Sequence, residues 1–180
     1  MSPRMRRSMT NEYALLGYLQ RGPLHGYQLH QELNNPLGAG RVWQVKQAQL
    51  YAWLGKLEED GLIASSLQPQ ETRPARRVFR ITDRGQQAFE VWLSTPVQAP
   101  RQMRQEFQLK LYFARRQNQE ALKRLLELQQ AACENWLKNH QNSGGPEEKE
   151  QSFAWMVDQY RIGQVQAMLD WLALCIRCQG

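Results

Sequence analysis

The sequence contains few residues of the kinds that usually carry catalysis, metal binding or disulfide bonding. Among 180 residues there are only three histidines and three cysteines. The histidines stand in no recognisable spacing with a nucleophile or a metal-ligand set, so we predict no catalytic residue, no metal site and no cofactor. An odd number of cysteines does not match a secreted disulfide framework. We therefore expect reduced thiols.

Long hydrophobic runs are also missing. No stretch approaches the roughly 20 apolar residues that a membrane-spanning helix needs. The opening segment Met1–Arg7 is basic but lacks the apolar core of a secretory signal. These absences predict a cytoplasmic protein without a membrane partner.

The charge is positive, and it is concentrated in the first half of the chain. The formal net charge is +6, and residues 1–95 carry 12 Lys and Arg against 8 Asp and Glu. A basic surface suits a polyanion such as nucleic acid or an acidic membrane surface, and charge alone does not choose between them. The 42% share of apolar residues indicates a folded chain.

Apolar spacing and breaker residues predict three helices in the first 60 residues. A short helix around Leu15–Leu19 ends at Gly22 and Pro23. A second helix spans about Gly26–Leu33. A third spans about Lys46–Asp60, where leucines recur at three and four residues and a glycine follows the last turn.

A hairpin and a fourth helix follow. Leu62–Ile63 and Arg77–Ile81 are predicted as two short strands, separated by the polar segment Gln68–Pro74. Thr82 then caps a helix that runs to about Leu93. Three helices followed by a β-hairpin are the pattern of a winged helix-turn-helix, in which the third helix enters the major groove and the hairpin touches a neighbouring groove or the backbone.

The third helix supplies the predicted base-reading residues. With its leucines in the core, Lys46, Gln47, Gln49 and Lys56 lie elsewhere on the helix. Glutamine suits adenine, and lysine suits guanine or phosphate. Tyr51 lies at the edge of the core face, where it is either a phosphate-contacting residue or a plain core aromatic.

The hairpin carries the other predicted DNA contacts. Arg73, Arg76 and Arg77 suit phosphate or a narrow minor groove. The alternative is a solvated run of charge paired with Glu71 and Asp83.

After residue 95 the composition changes to long helices. The predicted fold is therefore mainly α, with a winged helix-turn-helix head at residues 1–95 and a helical dimerisation domain at residues 96–180. The last helix, from about Glu147 to Ile176, carries two apolar stripes, whereas one neighbouring helix can bury only one. We expect a second copy of the chain to cover the other, although a helical hairpin packed onto the head is an alternative. The predicted dimer interface consists of Phe153, Met156, Tyr160, Ile162, Val165, Leu169, Leu172 and Ile176.

The tail also contains three tryptophans that suit a planar ligand. Trp136, Trp155 and Trp171 are candidates to line an apolar effector site, or they belong to the dimer core. A helical module that binds a ligand or a partner without binding DNA is the second functional hypothesis. The arginines of the hairpin favour the DNA-binding hypothesis, because such a module would not need them.

The head resembles the PadR family of transcriptional regulators. The resemblance lies in Ala14–Gly17, Gly22–Leu29, Gln49–Tyr51, Leu57–Ile63 and Arg77–Gly85. A looser similarity in the tail, through Glu106–Phe113 and the last helix, points to the longer subgroup of that family. The resemblance implies a homodimeric repressor of transcription that binds double-stranded DNA, released in some members by a small aromatic ligand. In one departure from the expected pattern, no Ser or Thr stands at the start of the recognition helix.

Overall fold

The computed structural model describes residues 11–69, 75–142 and 152–178. The three helices predicted in the first 60 residues are all present, with bounds that differ from the predicted ones by a residue at most. After a 3-10 turn at Asn11–Tyr13, the elements of the head are α1 (Ala14–Leu19), β1 (Leu24–His25), α2 (Gly26–Leu33), α3 (Gln47–Glu59), β2 (Ile63–Gln68), β3 (Arg76–Ile81) and α4 (Asp83–Ser94). The predicted mainly α fold with a winged helix-turn-helix head is confirmed.

The sheet has three antiparallel strands in the order β1-β3-β2, whereas the sequence predicted two. In the β2-β3 hairpin Ile63 pairs with Ile81 and Gln68 with Arg76, so the wing strands are longer than predicted. The strand β1 adds Leu24 beside Phe79. Its two residues are too few to show any periodicity, and their pairing depends on a strand more than 50 residues away.

Glycine is required at the end of α3. Gly61 has a φ of 69°, in the left-handed region that favours glycine. The N–H of Leu62 donates to the carbonyl of Leu57 at 2.8 Å, which closes the helix as predicted. Thr82 stands where the sequence predicted a cap, and its hydroxyl accepts from the N–H of Gly85 at 3.1 Å.

The first compact unit comprises the residues up to Leu93 together with Gln108–Phe113. Aromatic rings fill part of its core: the centroid of Phe113 lies 5.5 Å from that of Phe89 and 5.2 Å from that of Tyr18. A Cβ at Gly17 would stand 2.7 Å from both phenylalanine rings, so a side chain there would displace them. Edge-to-face packing of this kind stabilises beyond simple burial.

The second compact unit comprises Ser94–Phe107 and the chain from Ala114 onward. Its elements are a 3-10 segment at Pro100–Arg104 and the helices α5 (Glu106–Gln117, part of which belongs to the first unit), α6 (Gln119–Asn142) and α7 (Phe153–Arg177). The division of domains between residues 95 and 96 stays a prediction.

Two contacts organise this second unit. The buried side chain of Gln129 on α6 accepts a 2.8 Å hydrogen bond from the N–H of Val97. Phe107 packs edge-to-face against Trp171 of α7, with centroids 5.9 Å apart. The helix α7 begins at Phe153, later than predicted from sequence, and Ser152 accepts from the N–H of Trp155 at 3.1 Å as its cap. None of the helices in the described ranges combines the length and the apolar character needed to cross a bilayer.

Candidate nucleic-acid interface

The helix α3 separates a core face from an exposed face. Leu50, Leu54 and Leu57 are buried, because residues three and four apart share one side of a helix. Lys46 and the glutamines Gln47 and Gln49 are exposed around its first turn. The structure therefore presents three of the predicted base-reading residues together at one end of α3.

The start of α3 is held by α2 rather than by a capping side chain. Lys46 is the N-cap residue, in an extended conformation, and its side chain makes no cap hydrogen bond. Instead, the Asn34 side chain accepts from the N–H of Val45 at 2.8 Å and donates to the Val45 carbonyl at 3.0 Å. Nε2 of His30 lies 2.8 Å from the same carbonyl. These bonds fix the residue before the N-cap and so hold the start of α3 in place.

Tyr51 lies at the surface rather than in the core. It is 42% exposed, and its ring leans toward the start of α2, where a Cβ at Gly26 would stand 2.5 Å from the phenol oxygen. Of the two interpretations left open by the sequence, this position favours a residue that contacts a partner.

Lys56 has an intramolecular partner. Its ammonium group pairs with the carboxylate of Glu12, which is buried before α1. The pair joins the third helix to the first segment of the described chain. Lys56 is thus less available to DNA than its position on the helix suggested.

The arginines of the wing differ in their surroundings. Arg73 lies outside the described residues. Arg76 is exposed, and within the described part of the chain no carboxylate is paired with it. Arg77 pairs with Glu58 at the end of α3 and donates from Nε to the Ser65 hydroxyl at 2.8 Å. Its guanidinium also lies over the Phe79 ring, 5.2 Å from the centroid.

Sequence reasoning missed several residues of this surface. Glu12 pairs with Lys56, and Glu58 and Ser65 bind the Arg77 side chain. No local sequence pattern indicates contacts between residues so far apart. His25 and Gln28 also border the face, where the His25 N–H donates to Oε1 of Gln28 at 3.1 Å. The signal in the sequence that could have indicated them is the pair Gly26 and Tyr27 at the start of α2.

The predicted dimer interface lies on α7, and its residues differ in their exposure. Val165 and Leu172 are buried within the chain, so they are not available to a second copy. Ile162, Leu169 and Ile176 are half-buried, whereas Phe153, Met156 and Tyr160 are exposed. The exposed residues form the part of the predicted interface that is free to meet a partner.

The three tryptophans of the tail do not form a ring cluster in the part of the chain that the structure describes. Trp136, Trp155 and Trp171 are each half-buried, and Trp171 packs against Phe107. The described residues also contain no group of three or more His, Cys, Asp and Glu side chains placed to hold a metal ion.

Comparisons with known proteins agree with this arrangement. Residues 15–91 match the model of the transcriptional regulator PadR-like family, and residues 103–178 match that of the virulence activator alpha C-terminal domain. The negative transcriptional regulator PadR of Bacillus subtilis is 34% identical over 102 residues, which are 57% of this chain and 55% of that protein. The match thus spans about half the length of that relative.

Solved structures of Bacillus subtilis PadR align along most of the chain. The complex with operator DNA has 25% identity and a TM-score of 0.48, covering 96% of this chain and 99% of the other. The complex with p-coumaric acid has 23% identity and a TM-score of 0.40, covering 93% and 94%. Residues 15–91, the part of the head that matches the family model, thus form a domain of the transcriptional regulator PadR-like family.

Proposed function

We propose that the chain is a sequence-specific, homodimeric DNA-binding repressor of transcription. The observation that carries the proposal is the exposed first turn of α3, with Lys46, Gln47 and Gln49, on the same domain as the exposed Arg76 of the wing. Glutamine and lysine can read base edges in the major groove, and arginine can contact phosphate or the minor groove.

The comparisons support both the class and the sign of regulation. Bacillus subtilis PadR is a negative transcriptional regulator, and it has been solved with operator DNA. Because genomic DNA is the proposed partner, we also place the protein in the cytoplasm. The proposal includes neither a catalytic step nor a cofactor.

Two copies of the chain would read two half-sites. The exposed apolar residues of α7 supply the contact between copies, and half-sites roughly 34–36 Å apart, or a multiple of that, would match the helical repeat of DNA. A small aromatic compound would release the operator. The p-coumaric acid complex of Bacillus subtilis PadR supports this step.

DNA binding is tested with duplexes recovered from a random-sequence pool, measured by fluorescence anisotropy at several salt concentrations. We expect the logarithm of the binding constant to fall linearly with the logarithm of the salt concentration. Replacing Gln49→Ala should change which sequences are recovered, whereas Gln119→Ala in the tail should not. No recovered duplex, or affinity without a salt dependence, would overturn the proposal in favour of a module that binds a ligand or another protein.

A further inference from the structure

A groove on the head opens between the start of α2, the middle of α3 and the wing. It has a volume of about 320 Å³. Its lining consists of His25, Gly26, Tyr27, Gln28, Tyr51, Arg76 and Arg77. Every element that borders it belongs to the first compact unit.

The sheet explains why these residues meet. His25 of β1 pairs with Val78 of β3, and α2 begins at the next residue, Gly26. The first turn of α2 is thereby fixed beside the strand that carries Arg76 and Arg77. A helix start and two guanidinium groups thus border the same space.

The phenol of Tyr51 forms another wall of the groove. The ring can occupy this position only because residue 26 is a glycine. A Cβ on Gly26 would stand 2.5 Å from the Tyr51 oxygen, which is closer than side-chain carbon and oxygen atoms can approach. Among the residues that the structure describes, none is hydrogen bonded to this oxygen. The hydroxyl is therefore available to donate to a ligand.

The groups around the groove are hydrogen-bond donors. The first N–H groups of a helix have no acceptor within the helix and carry its partial positive charge. Arg76 adds a full charge, and the Arg77 charge is shared with Glu58. Oε1 of Gln28 already accepts from the His25 N–H at 3.1 Å. Such a set of donors suits an anionic group with several oxygens, as at other helix starts that bind phosphate.

We propose that this groove holds one phosphodiester group of the DNA backbone. The Tyr51 hydroxyl, the N–H groups of Gly26 and Tyr27 at the start of α2, and Arg76 donate to its non-bridging oxygens, and Gly26 allows the tyrosine to stand close enough. The inference rests on the proposed function and deepens it. A phosphate held there fixes the register of α3 along the major groove, since backbone contacts position a protein and base contacts give specificity.

The test neutralises DNA phosphates one at a time. The probe is a duplex recovered by the native chain from a random-sequence pool, prepared as a series with a single uncharged methylphosphonate at each backbone position. We expect native affinity to fall about tenfold at the position held by the groove, as for the loss of a hydrogen bond to a charged acceptor. In Tyr51→Phe and in Gly26→Ala the same position should cost less than in the native chain, about threefold, because one of the several donors has already been removed or displaced.

Matched variants provide the controls. Tyr13→Phe removes a hydroxyl outside the groove, and Gly55→Ala adds a methyl group where nothing lies within 4 Å of the Cβ. Both should reproduce the native profile at every position. Circular dichroism and thermal melting check the folding of Gly26→Ala. If Gly26→Ala is unfolded, the Tyr51→Phe profile alone tests the inference.

The possible results separate the two levels of the proposal. If native protein and Tyr51→Phe lose the same affinity at every phosphate, the Tyr51 hydroxyl donates to none of them and the inference is wrong while DNA binding stands. If the native chain recovers no duplex, the proposed function itself fails.

Discussion

The Arg77 guanidinium on the wing is paired with the Glu58 carboxylate at the end of α3, and Ser65 joins both. The Ser65 hydroxyl donates to Oε1 of Glu58 at 2.6 Å and accepts from Nε of Arg77 at 2.8 Å. The three side chains link the recognition helix to both strands of the wing. Arg77 therefore positions the wing, and part of its charge is already offset within the protein.

This arrangement predicts different effects for two neighbouring arginines. Arg76→Ala should weaken binding to all sequences about equally and reduce the salt slope by about one, the effect of losing one phosphate contact. Arg77→Ala should reduce the slope less, because Glu58 already offsets its charge. Anisotropy titrations over a range of salt concentrations measure both slopes.

The stability effect of Arg77→Ala should be small. The side chains of Arg77 and Glu58 are 51% and 29% exposed, and solvent screening leaves such a pair worth less than about 1 kcal/mol. Glu58→Gln is the matched control, since it frees the arginine charge and should increase the salt slope of DNA binding. An equal loss of slope in Arg76→Ala and Arg77→Ala would show that Glu58 does not offset Arg77.

Gly85, in the first turn of α4, is predicted to be the least replaceable glycine of the head. A Cβ there would stand 2.0 Å from the carbonyl oxygen of Leu62 and 2.9 Å from a side-chain carbon of Ile81. Backbone cannot move aside as a flexible side chain can, so Gly85→Ala should lower the free energy of unfolding by about 3 kcal/mol, as overpacked cores do.

Urea denaturation followed by circular dichroism measures this change. Gly55→Ala, on the open side of α3, is the control and should leave stability unchanged or raise it by up to about 1 kcal/mol through helix propensity. Equal midpoints for native protein and Gly85→Ala would contradict the close contact with Leu62.

Local signals account for the parts of the fold that the sequence predicted well. The helix α2 spans Gly26–Leu33 as predicted, because its apolar spacing and the proline that follows it act within a few residues. The strand β1 and the pair of Lys56 with Glu12 were not predicted. Both depend on residues more than 40 positions apart in the chain, which only the folded structure brings together.

The candidate site shows the same limit. Exposure of Gln47 and Gln49 follows from the leucine spacing on α3, so the base-reading face was predictable. The groove beside Tyr51 was not, because it exists only where β1 fixes the start of α2 against the wing. The partner of Arg77 likewise lies on another element, whereas the sequence suggested Glu71 or Asp83.

The three cysteines are predicted to react with alkylating reagents at different rates. Burial raises the pKa of the Cys133 thiol, and a hydrogen bond from Gln129 offsets this only in part. Partial burial and then the charge of Cys178 raise the pKa of Cys175. A raised pKa leaves less of the reactive thiolate at a given pH. At pH 8 we expect the exposed Cys178 to react first, Cys175 next and Cys133 last.

Mass spectrometry after timed treatment with iodoacetamide gives the three rates. Repeating the treatment in urea is the control, since unfolding removes the burial and should bring the rates together. Labelling of Cys133 as fast as that of Cys178 in the folded protein would contradict the buried position of Cys133 on α6.

The exposed apolar residues of α7 give the most direct prediction about assembly. Phe153, Met156, Tyr160 and Leu174 recur at spacings that place them along one side of the helix, and Phe153 and Tyr160 are 79% and 65% exposed. On the other side of the helix Val165 and Leu172 are buried, and α7 packs on α6. A stripe of this size left open to water is typical of a surface that another protein covers.

Replacing Phe153→Glu together with Tyr160→Glu should therefore convert the dimer to a monomer at micromolar concentration. The monomer should keep its helical content, because neither side chain belongs to the core of the single chain. Sedimentation velocity and circular dichroism measure these two properties. Gln119→Glu with Gln159→Glu adds the same two charges outside the stripe and should remain dimeric. A native chain that is already monomeric, or a charged variant that still dimerises, would place the contact between copies elsewhere.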